Sequence, residues 1–197
     1  MTRFIQFKEA KVLVNAKQEN NVIKIKGSKF MYGWMASFVL GGLIGCFFLL
    51  IEGFSFESKY SFVYIFGGIV FFPIFLYLTL WSLPGFIPGK TLLTISDDGN
   101  GKIITKKGTV FIENIRNIDL IRNPLNLIND IVIETFDNKK IKIRTYNLLD
   151  DLDYQVIVDK YIFPNMTENA RKVWDRKVNL ALLLKEVKYE RQEHKID

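Results

Sequence analysis

Charge is missing from two long stretches of this 197-residue chain: residues 30–51 and 60–89 contain no Asp, Glu, Lys, Arg or His. Cysteine and histidine each occur once, as Cys46 and His194. A single cysteine excludes any disulfide framework or cysteine metal site within one chain, and Cys46 inside an apolar run reads as a small packing residue. His194 stands close to the C-terminus, where chains fray, which makes it a poor acid, base or metal ligand. No phosphate loop, dinucleotide fingerprint, HExxH pair or nucleophile elbow is present, so neither an enzyme nor a cofactor or metal site is expected. Asp150, Asp151 and Asp153 lie close together but open a helical pattern, where carboxylates meet the positive end of the helix dipole.

What is present is membrane-length hydrophobicity. At about 1.5 Å of rise per residue, the run 30–51 reaches roughly 33 Å, against a hydrocarbon core of about 30 Å. The second run is longer, but Pro84 and Pro88 with Gly85 and Gly89 break its tail, which leaves a span over about 60–83. Soluble core helices seldom go so far without a charge, and the mixed residues before the first run do not fit a cleaved leader. Arg3, Lys8, Lys11, Lys17, Lys24, Lys26 and Lys29 precede the first span, whereas the loop between the spans offers Glu52, Glu57 and Lys59. That asymmetry predicts a multi-pass cell-membrane protein with both termini in the cytoplasm. Tyr32, Trp34, Tyr60, Tyr64, Tyr77 and Trp81 lie toward the span ends, where amphipathic rings prefer the interface.

The net charge of +6 gathers beside the membrane. This placement argues for anionic lipid headgroups rather than nucleic acid, with Lys24, Lys26, Lys29 and Lys90 as the expected contacts. Within the first span Gly33, Ser37, Gly41 and Gly45 recur every four residues and form a stripe of small side chains. The expected use is close packing against Gly67 and Gly68 of the second span; the same stripe would serve a homodimer. Pro73 predicts a kink in the second span. With no charged residue in either span, a pore or transporter is not expected.

After Lys90 the pattern changes to period two, as where Ile141 and Ile143 alternate with Lys140, Lys142 and Arg144. Strands are predicted near 91–96, 101–105, 109–113, 115–122, 131–136 and 140–145, separated by turn residues such as Asp98-Gly99, Asn123-Pro124 and Asp137-Asn138. Short connections make this an antiparallel meander. Asn147 reads as the N-cap of a helix carrying Leu149, Leu152, Val156 and Tyr161 and ending by Pro164. A last helix is predicted over 166–192, with Val173, Trp174, Leu180, Ala181, Leu184 and Val187 as its apolar face. Before the spans, residues 11–15 and 21–26 flank a turn and predict a further hairpin, which could pair with an edge of the main sheet.

The predicted fold is a membrane protein of α+β class, with a two-helix transmembrane hairpin and a cytoplasmic β-meander capped by C-terminal helices. The segments are 1–29 (N-terminal β-hairpin), 30–89 (transmembrane hairpin), 90–164 (β domain with closing helix) and 165–197 (C-terminal helix). This order resembles the bacterial membrane-anchored pleckstrin-homology-like proteins. The most suggestive stretch is 109–121, where one strand runs through a polar corner into the next and Ile112, Ile115, Ile118 and Ile121 are available for the core. The resemblance implies a curved sheet capped by a helix that binds proteins or lipids. The expected function is therefore a membrane-anchored module recruiting a protein partner, with anionic lipid contact. The alternative is a small immunity-type or regulatory membrane protein acting through its spans.

Overall fold

Alternation of Ile23 and Ile25 with Val22, Lys24 and Lys26 makes β2 (Val22–Lys26) a half-buried strand whose isoleucines face inward. The computed structural model describes residues 16–19, 21–87, 89–96 and 101–191. β1 (Ala16–Glu19) pairs antiparallel with β2, with Glu19 opposite Val22. This strand occupies the stretch predicted to be the turn, and residues 11–15, predicted as the strand, lie outside the described residues. The long apolar runs form α1 (Lys29–Ser55) and α2 (Ser61–Ser82). α1 continues past Glu52 until Phe56 takes a left-handed conformation and its N–H bonds the Gly53 carbonyl. α2 runs unbroken through Pro73 and tightens into a 3₁₀ turn over Leu83–Gly85.

β3 (Thr91–Ser96) returns from the hairpin and pairs antiparallel with β2, setting Ile95 against Ile23 and Leu93 against Ile25. The helical hairpin is thus an insertion between two neighbouring strands of one sheet. β4 (Lys102–Thr105) and β5 (Gly108–Phe111) complete a five-stranded sheet in the order β1-β2-β3-β4-β5. A 3₁₀ turn over Ile112–Asn114 then redirects the chain, pinned by the Ile112 N–H on the Gly101 carbonyl at 3.0 Å. β6 (Ile115–Arg122), β7 (Asn129–Thr135) and β8 (Lys140–Arg144) form a second, three-stranded sheet. The predicted single meander is therefore two sheets, divided at the polar corner Glu113-Asn114. Ile112 and Ile115, on either side of that corner, are both fully buried in the shared core.

α3 (Asp151–Ile157) closes the sheets and buries Tyr154 and Ile157. Its N-cap is Asp150, which accepts from the Asp153 N–H at 2.7 Å, and not Asn147. Tyr146 and Asn147 are both left-handed, so the chain turns there before the helix can start. The core is rich in isoleucine: Ile25, Ile95, Ile103, Ile112, Ile115, Ile131, Ile133 and Ile157 are almost wholly buried. Each such side chain contributes roughly 1.5–3 kcal/mol relative to exposure.

Beyond a π-helical turn over Val158–Ile162 the C-terminal segment is two short helices, α4 (Glu168–Asp175) and α5 (Leu180–Val187), instead of one. Asn179 is the reason: its side chain accepts from the Leu182 N–H at 3.0 Å and starts a new helix, while Val178 packs into the core between the two. Ala170 and Trp174 join the main core, and Leu183 and Val187 pack with Val156 and Tyr189; Leu180, Ala181 and Leu184, predicted to be inward, are exposed.

Candidate functional site

The chain enters and leaves the helical hairpin through one compact junction. A β-bulge between Ile25 and Lys26 ends the β2–β3 ladder, and the Ser28 N–H bonds the Leu148 carbonyl at 2.9 Å. Gly27 lies so close to Leu148 that a Cβ there would fall 2.5 Å from the leucine Cβ. On the return side Gly85 presses on Tyr146 in the same way, at 2.6 Å. The Tyr32 hydroxyl donates to the Ile87 carbonyl at 3.1 Å, which ties the feet of the two helices together. Arg144 lies 4.9 Å from the Trp81 ring, and Asn147 donates to the Leu127 carbonyl at 2.9 Å and to the Met35 sulfur at 3.7 Å. Both helices are thereby fastened to residues 144–148, at the end of β8 and in the loop before α3.

Cationic groups surround this junction. A cleft of about 640 Å³ opens at the foot of α1, where Lys17, Lys26 and Lys29 meet Tyr32 and Gly89. A smaller pocket of about 130 Å³ lies where the start of β3 meets β8 and the β4–β5 turn; Lys90, Lys106, Lys107, Lys142 and Arg144 line it with Tyr146. The predicted contacts Lys26 and Lys29 share the first cleft. Lys24 is higher on β2, opposite Lys17 of β1, and lines neither. Lys90 belongs to the second pocket, where its ammonium donates to the Pro84 carbonyl and stands 3.7 Å from the Tyr146 ring. Lys106, Lys107, Lys142 and Arg144 were missed because they belong to strands and turns far apart in sequence. Chemically the two pockets offer ammonium and guanidinium donors to an anion; neither contains a nucleophile paired with a base.

The helical hairpin packs through a different face from the predicted stripe. Gly33, Ser37, Gly41 and Gly45 are all exposed, and a Cβ on any of the three glycines would meet nothing within 4 Å. The neighbouring face makes the contact. Met35, Val39, Cys46 and Gly53 are buried there, and a Cβ at Gly42 would fall 2.1 Å from the Phe75 ring. From α2, Gly68 is buried against Leu50 and the Cys46 carbonyl, whereas Gly67 only grazes Leu49. Phe38 and Phe75 complete the seam, with ring centroids 5.7 Å apart. Bulky Phe75 and Leu50 need the deepest notches, which Gly42 and Gly68 supply.

Sequence reading also missed a buried polar cluster among the C-terminal helices. The π turn aims Asp159 inward, where it accepts from Trp174 Nε1 and the Tyr189 hydroxyl, each at 2.9 Å, and from Arg191 Nε. Arg191 also pairs with Asp175 at 2.6 Å. The Asp159 side chain has no exposure. Burial, and then the Asp159 charge, push the Tyr189 phenol well above its ordinary pKa. This cluster fastens the chain after α5 onto α3 and α4; its aspartate is fully engaged, and the group has a structural role.

A family model described as a family of unknown function, DUF5381, matches residues 21–184, from β2 through the helical hairpin into α5. The chain belongs to this family. Its span places β2 within the family unit together with the helices and sheets that follow. The chain is also similar to two Bacillus subtilis (strain 168) proteins. It is 30% identical to the "Uncharacterized lipoprotein YfjD" over 80% of this chain and 88% of that protein. With the "Uncharacterized protein YfjE" it shares 29% identity over 62% of this chain and 84% of that protein. No solved structure matches.

α1 and α2 are long and apolar enough to cross a membrane, and only 17% and 11% of their most apolar windows are buried within the protein. Helices so exposed are not the core of a soluble fold, and they fit a membrane anchor.

Proposed function

We propose that this protein is a membrane-anchored cytoplasmic binding module of pleckstrin-homology-like type, which holds its β domain in a set orientation at the bilayer to recruit a protein partner. The observation that carries this reading is the pairing of β2 with β3 across the inserted helical hairpin. Strands on both sides of the anchor belong to one sheet, so no free linker separates domain from membrane. The two cationic pockets at the helix feet then meet the anionic cytoplasmic leaflet, where each lysine adds about 1 kcal/mol of attraction. The excess of Lys and Arg ahead of the first span supports cytoplasmic termini.

The name of one relative describes a lipoprotein. In this chain lipid attachment would fall on Cys46, and bacterial processing would first remove everything before it. That cut would strip β1 and β2 from the sheet and Ile23 and Ile25 from the core, so we read the first span as retained. An intact mass that includes residues 1–45 and a free Cys46 thiol supports this; an acylated N-terminal Cys46 overturns it.

Replacing both spans with an unrelated membrane hairpin, while keeping residues 1–28 and 86–197, tests the module. Retained capture of a specific partner by crosslinking in native membranes supports recruitment by the β domain. Loss of that partner favours the second reading, in which the spans themselves act, as in an immunity-type or regulatory protein or a homodimer. The exposed face of Gly33, Ser37, Gly41 and Gly45 is the observation behind this alternative, because it is open to another membrane helix.

A further inference from the structure

We propose that loop 123–128, between β6 and β7, inserts Leu125 and Leu127 into the cytoplasmic leaflet and forms a third membrane contact beside the two spans. The inference rests on the membrane-spanning reading of α1 and α2. Its starting point is the pair of bonds from Asn147. One Nδ2 donor reaches both the Leu127 carbonyl, at 2.9 Å, and the sulfur of Met35, at 3.7 Å. Met35 is part of α1, within the run that carries no charge. Side chains on a helix lean toward its N-terminus, so this sulfur sits about one turn above Lys29, at the depth of the headgroup and upper acyl region. Met35 is itself buried, so these bonds set loop 123–128 beside the first span at that depth.

The side chains of the loop fit that depth. Leu125 is 79% exposed and Leu127 39%, and Ile121 at the same end of β6 is 46% exposed. Leu127 also holds a left-handed backbone, φ 56°, where Asn or Gly would be accommodated at lower cost. An exposed leucine there is explained when the surroundings are hydrocarbon. In water the same patch would be unfavourable, whereas each leucine moved into acyl chains gains the transfer free energy of its apolar surface.

Insertion also demands that backbone donors be satisfied within the loop, since lipid offers no partners. Four of the five backbone N–H groups of this loop, those of Asn123, Leu125, Leu127 and Ile128, are bonded within it. The Asn123 N–H bonds the Ile128 carbonyl and the Leu127 N–H bonds the Asn123 carbonyl, both at 2.9 Å. Asn123 Oδ1 accepts from the Leu125 N–H at 2.9 Å, and Asn126 Oδ1 accepts from the Ile128 N–H at 3.1 Å. Pro124 has no donor to satisfy. Asn126 is buried, so the loop carries its polar side chains inward and presents leucine outward. Phe136, 43% exposed in the turn at the opposite end of β7, is tied through its N–H to the Asn114 carbonyl and serves as the internal contrast.

The test uses the full chain with Cys46→Ala, reconstituted in phosphatidylglycerol and phosphatidylcholine vesicles, and an environment-sensitive fluorophore on one introduced cysteine at a time. Leu125→Cys should give blue-shifted emission that is quenched by lipids carrying a shallow nitroxide and protected from aqueous iodide. Phe136→Cys should show the reverse. Phe71→Cys, in the middle of α2, should be quenched only by deeply placed nitroxide, which reports the spans separately. Iodide quenching at Leu125 with lipid quenching at Phe71 overturns the loop proposal and leaves the spans standing. Absence of lipid quenching at Phe71 overturns the spanning reading, and the loop proposal falls with it.

Discussion

Among single residues, Asp159 and Tyr154 show how differently two buried polar groups are handled. Asp159 is surrounded by donors from Trp174, Tyr189 and Arg191. Removing the guanidinium leaves a buried carboxylate without its counter-charge, a change that costs about 3–5 kcal/mol. Arg191→Leu should therefore lower the thermal midpoint of the β domain sharply, followed by tryptophan fluorescence because Trp174 sits on the cluster. A midpoint equal to wild type would show that the cluster contributes little.

Tyr154 is the opposite case. Its ring packs edge-on to Trp174 at 5.9 Å, yet its hydroxyl is buried without a hydrogen-bond partner among the described residues. Burial, then the charges of Asp119 and Asp151, raise its phenol far above the ordinary value of 10.0. Tyr154→Phe removes an unsatisfied group and should raise stability by about 1 kcal/mol at neutral pH. The pH dependence has a definite sign. The folded state keeps this proton where the unfolded chain has lost it, so the contribution is complete below pH 10.0 and declines as pH rises above it. Titration of stability between neutral and strongly alkaline pH should fall less steeply for the phenylalanine variant; parallel curves would count against it.

For the elements, the helical hairpin separates periodicity from geometry. The four-residue spacing of Gly33, Ser37, Gly41 and Gly45 is real, but the hairpin uses the face of Gly42, Gly53 and Gly68. Spacing alone reports that a stripe exists, not which partner it faces, because neighbouring stripes of one helix differ by a single residue. Gly42→Leu or Gly68→Leu should overpack the seam and cost about 1–3 kcal/mol, read as a lower thermal midpoint in detergent. Gly41→Leu with Gly45→Leu should leave that midpoint unchanged. The reverse ranking would place the seam on the wrong face.

The strands were more legible than the helices after them. Thr91–Ser96 and Ile115–Arg122 follow directly from alternation and turn residues. The break between α4 and α5 was not visible, since Arg176 to Asn179 looks like continuous amphipathic sequence; the Asn179 cap on the Leu182 N–H decides it, with Val178 packed against both clusters. The start of α3 was misplaced for a similar reason. Asn147 is a good capping residue, but its amide is used to join Leu127 and Met35, and Asp150 takes the cap.

On the scale of the whole molecule, the anchor and the domain form one unit. Under the proposed topology, carbonate extraction should leave the protein in the membrane pellet. In a Cys46→Ala background, Ser55→Cys should react with an impermeant thiol reagent from outside the cell, while Thr109→Cys, exposed in β5, should react only after permeabilisation. Exchange of those two results would invert the protein and remove both cationic pockets from the cytoplasmic leaflet.

Local physics determined much of this architecture from sequence alone. Uncharged runs of bilayer length define the helical hairpin, period-two alternation defines the strands, and the gathering of lysines at one end of the apolar runs is the ground for the proposed orientation. Tertiary structure decided what joins to what. β2 pairs with β3 although the whole hairpin lies between them, which brings Lys17, Lys26 and Lys29 into one cleft and Lys90, Lys142 and Arg144 into another. It also turns Gly42 and Gly68 inward, leaves the regular glycine stripe open, and ties loop 123–128 to the first span through Asn147. Contacts of that kind depend on residues distant in the chain, and their free energies are set by packing and hydrogen bonding that no local pattern encodes.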